Sequence, residues 1–440
     1  MIKVGLPTAL VYGWDRFDEV KLQTTVYHEE NLYEDVILYS YPDPNDFNMH
    51  FAHHRPDVII TIGGNREDYT SLMEHTGEMF VTTKWCHYFT TPTDEEHANQ
   101  TVVYATQWAC NSLTRVFNNP EAPYFSVFTG TYKIGKRLHR TYAGLSDQTY
   151  KNWEWIVIDD SPDDHTETWE ILLEMARMDY RVRPYRIFPL SGGNIGEVKN
   201  RACSMANGNW FIELDHDDFC LPTLMEDSVK AMKKFPDAGF IYTDVAEPYE
   251  DGEMRQYTNT IGKKEDWYAK PGNTFVWAYG GHEWVKWDDK DWLCHRYPAI
   301  NPKTIRFNIG MPNHARIWHK DVYHKVAKHN RFISVADDYE LIVRTFLETR
   351  FIHIPKMLYL QFNNRNSTVD WNANDINRKA RIIRDFYNQR IHERIEELGQ
   401  IDWDWNEEKQ TSSIFQNDRS NLKYFEQESR LNYTYDEEAG

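Results

Sequence analysis

The chain has 440 residues, of which 41% are hydrophobic, and this length and composition exclude a globally disordered protein and suggest two or three domains. Its 49 basic and 68 acidic residues give a formal net charge of −19, which disfavours a general nucleic-acid binder because phosphate binding draws mainly on Lys and Arg. Five scattered cysteines argue against a disulfide framework or a structural zinc site, and with no evident signal peptide or membrane span we expect a soluble protein in a reducing, cytoplasmic compartment.

The first 118 residues predict a small Rossmann-like α/β domain. Apolar runs at 3–10, 35–39 and 57–62 each lead into turn residues, as the strands of a parallel sheet do. No nucleotide-binding fingerprint accompanies them, so an accessory or docking role is favoured. A segment with two prolines at 118–123 then predicts a linker.

A second alternation of strands and helices occupies 119–374. Strands are predicted at 124–128, 153–158, 183–188, 211–214, 239–242, 351–354 and 357–362, and helices at 136–145, 168–178, 197–206, 224–234, 321–328 and from 336. Acidic residues follow several of these strands. This rhythm is typical of an α/β sheet with ligands at the strand ends.

An insert near 250–300 is rich in Trp and Tyr. Most of these rings are expected to pack, whereas Trp284 and Trp287, flanked by polar residues, are predicted to stack on an acceptor sugar. The last part of the chain, 375–440, is predicted to consist of a charged helix over about 375–398 and a polar, acidic tail from 401 that is an appendage or partly disordered.

The most informative run is Phe211–Asp218 (FIELDHDD). If its apolar part is a strand, Asp215 and Asp217 lie on the same side, because side chains alternate with period two. Mg²⁺ and Mn²⁺ take oxygen ligands of this kind together with substrate phosphates. An acidic turn after an edge strand is the alternative reading.

Four further segments surround this run in a fixed order: SVFTGTY at 126–132, QTYKNWEWIVIDDS at 148–161, NIGEVKNRACSMANGNW at 194–210 and ADDYEL at 336–341. With them, residues 124 to about 370 resemble a glycosyltransferase family 2 catalytic domain. The resemblance implies the GT-A fold, a nucleotide-diphospho-sugar transferase domain with a mixed, mostly parallel sheet.

The resemblance also implies the roles of the site residues. It assigns the nucleotide to Thr129, Gly130, Tyr132, Asp160, Lys199 and Asp215, the metal ion to Asp217, Asp215 and Asp218, and catalysis to Asp338 and Asp337. Asp338 is the implied base, because an inverting transfer needs a carboxylate to take the acceptor's proton. Asp is also common at helix starts for structural reasons.

Two departures from the family pattern concern the charged part of the site. A His that the family often has near the end of the domain is replaced by Asn364, so another residue must supply that metal contact or metal affinity is lower. The nearest candidates for binding the diphosphate are Lys199, Arg201 and Arg365. The run at 130–137 nearly spells an ATP-binding P-loop, but Arg137 stands where the Mg²⁺-binding hydroxyl belongs.

Together with these patterns, the resemblance implies a metal-dependent inverting glycosyltransferase. It would use Mn²⁺ or Mg²⁺ and a nucleotide-sugar donor, most simply a UDP-sugar, and transfer the sugar to a hydroxyl of a glycan or another acceptor. The alternatives are a non-catalytic carbohydrate-binding or scaffold protein on the same fold and a sugar nucleotidyltransferase.

Overall fold

The structure is a computed structural model. It describes residues 123–179, 181–186, 189–255, 281–297, 300–307, 311–333, 335–363, 368–403, 405–412 and 431–435, together with the backbone of four short strands between residues 8 and 88.

In chain order the strands are β1 (Thr8–Gly13), β2 (Ile37–Tyr41), β3 (Val58–Ile62), β4 (Lys84–Tyr88), β5 (Phe125–Thr131), β6 (Trp153–Asp159), β7 (Val182–Tyr185), β8 (Trp210–Glu213), β9 (Phe219–Cys220), β10 (Ala238–Ala246), β11 (Gly281–Trp287), β12 (Lys290–Arg296), β13 (Arg316–His319), β14 (Arg350–Leu360), β15 (Trp405–Asn406), β16 (Thr411–Ser412) and β17 (Asn432–Thr434). The helices are α1 (Leu138–Ser146), α2 (Glu167–Met178), α3 (Ile195–Ser204), α4 (Leu224–Lys234), α5 (Pro302–Phe307), α6 (Lys320–Lys325), α7 (Asp337–Glu348) and α8 (Thr368–Glu397).

The chain divides into two compact units. The first is drawn from Met1–Lys136, Asn152–Gly193 and Arg201–Asn209, and the second from Arg137–Lys151, Asn194–Asn200 and Trp210–Gly440.

The first unit is built on parallel strands. β2, β1, β3 and β4 form one parallel sheet in that order, and β5, β6 and β7 pair in parallel in theirs. Gly208 lies against β5 so closely that a Cβ atom would come within 2.6 Å of the Ser126 nitrogen, which explains a glycine there. The expected α/β class is confirmed. The segments that connect these four strands lie outside the described residues, so the Rossmann-like domain at 1–118 stays a prediction.

The second unit carries a mixed sheet. Its strands run in the order β11-β12-β10-β13-β8 with antiparallel neighbours, and β14 pairs in parallel with β10 and β17 and antiparallel with β9. The two strands predicted at 351–354 and 357–362 are one strand, β14, because a register irregularity against β10 carries the chain through Pro355. β13 and the β11–β12 hairpin were not predicted.

Buried polar contacts join helix α8 to the rest of the second unit. Arg306 on α5 donates to the Asn388 carbonyl of α8 at 3.3 Å. The Arg306 side chain also forms two hydrogen bonds, of 3.1 and 2.7 Å, with Asp402, which follows α8 and lies 3.1 Å from His392 Nδ1 of that helix; the Arg306 and Asp402 side chains are both fully buried. The Tyr387 hydroxyl donates to Glu340 Oε1 at 2.8 Å, which ties α8 to α7. Helix α8 is therefore packed into this unit through its own side chains.

Among the helices that the structure describes, we find none that is both long and apolar enough to span a lipid bilayer.

Replacing Asp402 with Ala should lower the free energy of unfolding by about 3–5 kcal/mol, because the Arg306 guanidinium would stay buried without its counter-charge. Urea unfolding followed by tryptophan fluorescence measures this loss. Asp375→Ala, which removes an exposed partner of Arg378, is the matched control and should leave the midpoint unchanged. Equal effects of the two substitutions would contradict the structural role of the buried pair.

Candidate active site

Strand β8 ends in Glu213, a fully buried carboxylate that lies between two cations. Lys199 on α3 forms a short ion pair with Glu213 Oε1, and Arg316 Nη1 lies 3.4 Å from Glu213 Oε2. Burial would raise the pKa of Glu213, but Lys199 and Arg316 together hold it well below its ordinary value. Glu213 is therefore a fixed negative charge in the interior.

Each of these cations also reaches a carboxylate that the sequence assigns to the site. Lys199 Nζ lies 3.5 Å from Asp215 Oδ1, and Arg316 Nη2 donates to Asp338 Oδ2 at 3.0 Å. Arg316 is oriented by a third bond, from its Nε to the carbonyl of Pro312 at 2.9 Å. Asp215 and Asp338 are thus joined through Glu213.

His314 lies beside Asp215 and was missed by the sequence analysis. β13 runs antiparallel to β8 with Arg316 opposite Glu213, and continuing this register places His314 opposite Asp215. Its Nε2 lies 3.6 Å from Asp215 Oδ2, and neither ring nitrogen has a hydrogen-bond partner among the described residues. Burial lowers the pKa of His314 more than Asp215 raises it, so the ring is neutral at neutral pH.

Tyr359 on β14 supports both His314 and the acidic loop. Its ring stacks on the His314 ring at 5.0 Å, and its hydroxyl donates to Asp218 Oδ2 at 2.8 Å while accepting from the Asp215 backbone at 3.2 Å. Asp218 is buried, and its other oxygen accepts from the Phe362 N–H at 2.8 Å. Both Asp218 oxygens are therefore engaged in holding the loop.

Asp217 is less confined than Asp218. Its nearest ion-pair partner is His216 Nε2, at 3.9 Å, and its side chain is 17% exposed. Burial raises the pKa of Asp217, opposed by His216 and reinforced by the negative charge of Asp215. A nearby cation would stabilise the charged form of such a carboxylate.

The acidic pair opens α7, as predicted. Asp337 Oδ2 lies 3.2 Å from His329 Nδ1, and burial, which would raise the pKa of Asp337, is outweighed by this hydrogen bond, so the pKa is lowered. Asp338 is about one-third exposed and is the more accessible of the two. The hydroxyl of the next residue, Tyr339, donates inward to the Arg306 carbonyl at 2.8 Å and fixes the start of the helix.

Four of the six residues assigned to the nucleotide, Thr129, Gly130, Tyr132 and Asp160, belong to the first unit. Asp160 is buried at the end of β6, where its Oδ1 accepts from the Ser191 N–H at 2.8 Å and its Oδ2 from the Ser191 hydroxyl. Thr129 is also buried, and its hydroxyl accepts from the Trp155 indole at 2.8 Å. Gly130 is half-buried, whereas Tyr132 is 52% exposed.

The cations considered for the diphosphate differ in their surroundings. Lys199 is 12% exposed and forms ion pairs with Glu213 and Asp215. Arg201 donates a hydrogen bond to the Pro189 carbonyl at 2.8 Å. Arg365 and Asn364 lie outside the described residues.

Only part of the aromatic insert is described. Trp287 packs against Phe219 and Trp292, at ring distances of 5.6 and 5.9 Å, while Trp284 on β11 is 53% exposed. Of these two rings, that of Trp284 is the more exposed to solvent.

Glu213, Asp215 and His314 fit a divalent cation by the chemistry of their atoms. One ligand atom of each lies within 4.8 Å of the others, and two carboxylates with a neutral imidazole suit a first-row divalent ion. Because Glu213 is already neutralised by two cations, Asp215 and His314 are the better ligands. Asp217 lies outside this close group.

The chain is similar in sequence to glycosyltransferases of several bacteria. Residues 126–284 match the family model described as "Glycosyl transferase family 2". The chain is 30% identical over 104 residues to the poly(ribitol-phosphate) beta-N-acetylglucosaminyltransferase TarP of Staphylococcus aureus, covering 23% of this chain and 31% of that protein. It is 26% identical over 238 residues to the chondroitin synthase of Pasteurella multocida, covering 54% of this chain and 20% of that protein.

Among solved structures, S. aureus TarS 1-349 in complex with UDP-GlcNAc is similar with a TM-score of 0.43 and 14% identity, over 62% of this chain and 71% of that one. The first curated relatives are matched over only 23% to 46% of their own length.

Glu213→Gln should lower the free energy of unfolding by about 3–5 kcal/mol, because two buried cations lose their shared counter-charge. Adding Lys199→Met should recover part of that loss, since one of those cations is then removed. Urea unfolding of the two single variants and the double variant measures the coupling. The control is Glu226→Gln, in an exposed pair with Lys230, and strictly additive losses would argue against the network.

Proposed function

Residues 126–284 belong to glycosyltransferase family 2, as the sequence analysis predicted, and we propose that this chain is a metal-dependent inverting glycosyltransferase. The donor would be a nucleotide-diphosphate sugar, with a UDP-sugar first, and the acceptor a hydroxyl of a glycan or a related molecule. The names of the matched relatives, an N-acetylglucosaminyltransferase and a chondroitin synthase, support sugar transfer.

The observation that carries the proposal is the network in which Glu213 joins the metal-type residue Asp215 to the base-type residue Asp338. A pure carbohydrate-binding protein has no need for an oriented carboxylate that shares Arg316 with a buried anion. An enzyme that must place a proton acceptor at a fixed distance from a leaving group does need one.

In the proposed reaction the acceptor hydroxyl oxygen attacks the anomeric carbon of the donor sugar. The bond between that carbon and the diphosphate oxygen breaks, and the hydroxyl proton passes to Asp338. Arg316 holds the Asp338 carboxylate for this transfer. A divalent cation, when bound, would stabilise the negative charge that develops on the diphosphate.

We assign the cation to Asp215 and His314, whose ligand atoms lie close together, and to Asp217, whose role follows from the resemblance to the family; Asp218 holds the loop through Tyr359. An imidazole ligand favours Mn²⁺ over Mg²⁺, because Mg²⁺ prefers oxygen ligands only. His314 thereby supplies the contact that Asn364 leaves open. Asp160 is proposed to accept a hydrogen bond from the uracil imide and Lys199 to set the position of Asp215.

The donor and the metal are tested together by measuring hydrolysis of a panel of nucleotide sugars at graded Mn²⁺ and Mg²⁺ concentrations. We expect a UDP-sugar to be hydrolysed, more readily with Mn²⁺. Asp217→Ala and His314→Ala should each require a higher Mn²⁺ concentration, while His165→Ala, at an exposed position, should behave as wild type. No hydrolysis of any UDP-sugar would refute the donor, and a His314→Ala variant with wild-type Mn²⁺ dependence would refute that ligand.

Asp338→Asn should bind UDP and Mn²⁺ as wild type does but transfer sugar on the order of 10²–10⁴ times more slowly, because the amide cannot take the proton. Calorimetry measures binding and product formation measures the rate. Asp321→Asn, an exposed Asp at the start of α6, is the matched control. Full transfer activity in Asp338→Asn would exclude Asp338 as the base.

A further inference from the structure

Helix α1 contacts the backbone of the acidic loop directly. Arg140 donates twice to the Asp217 carbonyl, from Nε at 2.8 Å and from Nη2 in a shorter bond, and Thr141 Oγ1 donates to the His216 carbonyl at 2.8 Å. One turn later, a Cβ on Gly144 would come within 2.8 Å of the Cys220 nitrogen, so only glycine permits this approach. One face of α1 therefore contacts residues 216–220.

Arg140 also contacts two segments beyond that loop. Its Nη1 and Nη2 lie 3.0 and 3.1 Å from the two Glu250 carboxylate oxygens, at the beginning of the aromatic-rich insert. Its Cζ lies 3.6 Å from the centre of the Phe362 ring, and the Phe362 N–H donates to Asp218. One guanidinium thus contacts the acidic loop, the insert and the end of β14.

The geometry of these contacts requires arginine. A planar fork can give two bonds to one carbonyl, present its other edge to a carboxylate and stack a face on an aromatic ring. The ammonium of lysine can make one of these contacts well but cannot make all three together. Arg140 is 23% exposed and Glu250 36%, so the Glu250 pair contributes orientation more than stability.

We infer that Arg140 is a positioning residue for the cation site: it fixes the backbone at 216–218 so that Asp217 keeps its carboxylate available to the cation, and it links this loop to the insert through Glu250. The role of the cation in this inference rests on the proposed function. Residues that orient metal ligands commonly change metal affinity by about 10–100-fold when they are replaced.

Two measurements on the purified full chain test this role. Hydrogen exchange of peptides covering 214–221, in metal-free protein, reports how firmly the loop is held, and calorimetry with Mn²⁺ alone reports the affinity of the site. For Arg140→Ala we expect faster exchange and a dissociation constant for Mn²⁺ raised roughly tenfold or more. Arg140→Lys should fall between this variant and wild type.

The matched control is Arg137→Ala, which removes an exposed cation 3.7 Å from the same Glu250 carboxylate. It should leave both measurements unchanged. If Arg140→Ala matches Arg137→Ala in exchange and in Mn²⁺ affinity, or if Arg140→Lys equals wild type in both, the positioning role is refuted. A wild-type protein that takes up no Mn²⁺ would instead refute the proposed metal requirement, and exchange in metal-free protein would still decide the role of Arg140.

Discussion

The rest of the site depends on the burial of one carboxylate, Glu213. A charge in the interior is tolerated only when it is paired, and here it is paired twice, with Lys199 and Arg316. Each cation has a second partner nearer the surface, Asp215 for Lys199 and Asp338 for Arg316. The two proposed working carboxylates therefore take their positions from a charge that itself does no chemistry.

Local patterns were enough to predict the elements that carry the acidic residues. The apolar run before Asp215 is a strand, and Leu224–Lys234 forms a helix with the predicted bounds, because its period and its charged ends are local signals. His314 could not be found in this way. It approaches Asp215 only because β13 pairs antiparallel with β8, which lies about a hundred residues earlier in the chain, and no nearby residues indicate that register.

The C-terminal helix shows a second limit of sequence patterns. Its composition is strongly charged, which is typical of a solvent-exposed helix, yet its Tyr387 is hydrogen-bonded to Glu340 on α7 and its Asn388 carbonyl accepts a hydrogen bond from the fully buried Arg306. Arg306 in turn offers its carbonyl to Tyr339, the neighbour of Asp338. Polar residues that are buried in pairs look the same in the sequence as polar residues on a surface. The helix is therefore part of what holds the proposed base in place.

The charges of the network also bear on why a cation would be needed. Glu213, Asp215 and Asp338 carry three negative charges against the two positive charges of Lys199 and Arg316, so this group keeps one negative charge while His314 is neutral. Lys199 and Arg316 are each already paired with two carboxylates, so their positive charges attract a diphosphate only weakly. An anionic donor would be repelled at such a site unless a divalent ion came between the two. The same ion pairs that fix the geometry thus support the proposed metal-dependent mode of donor binding.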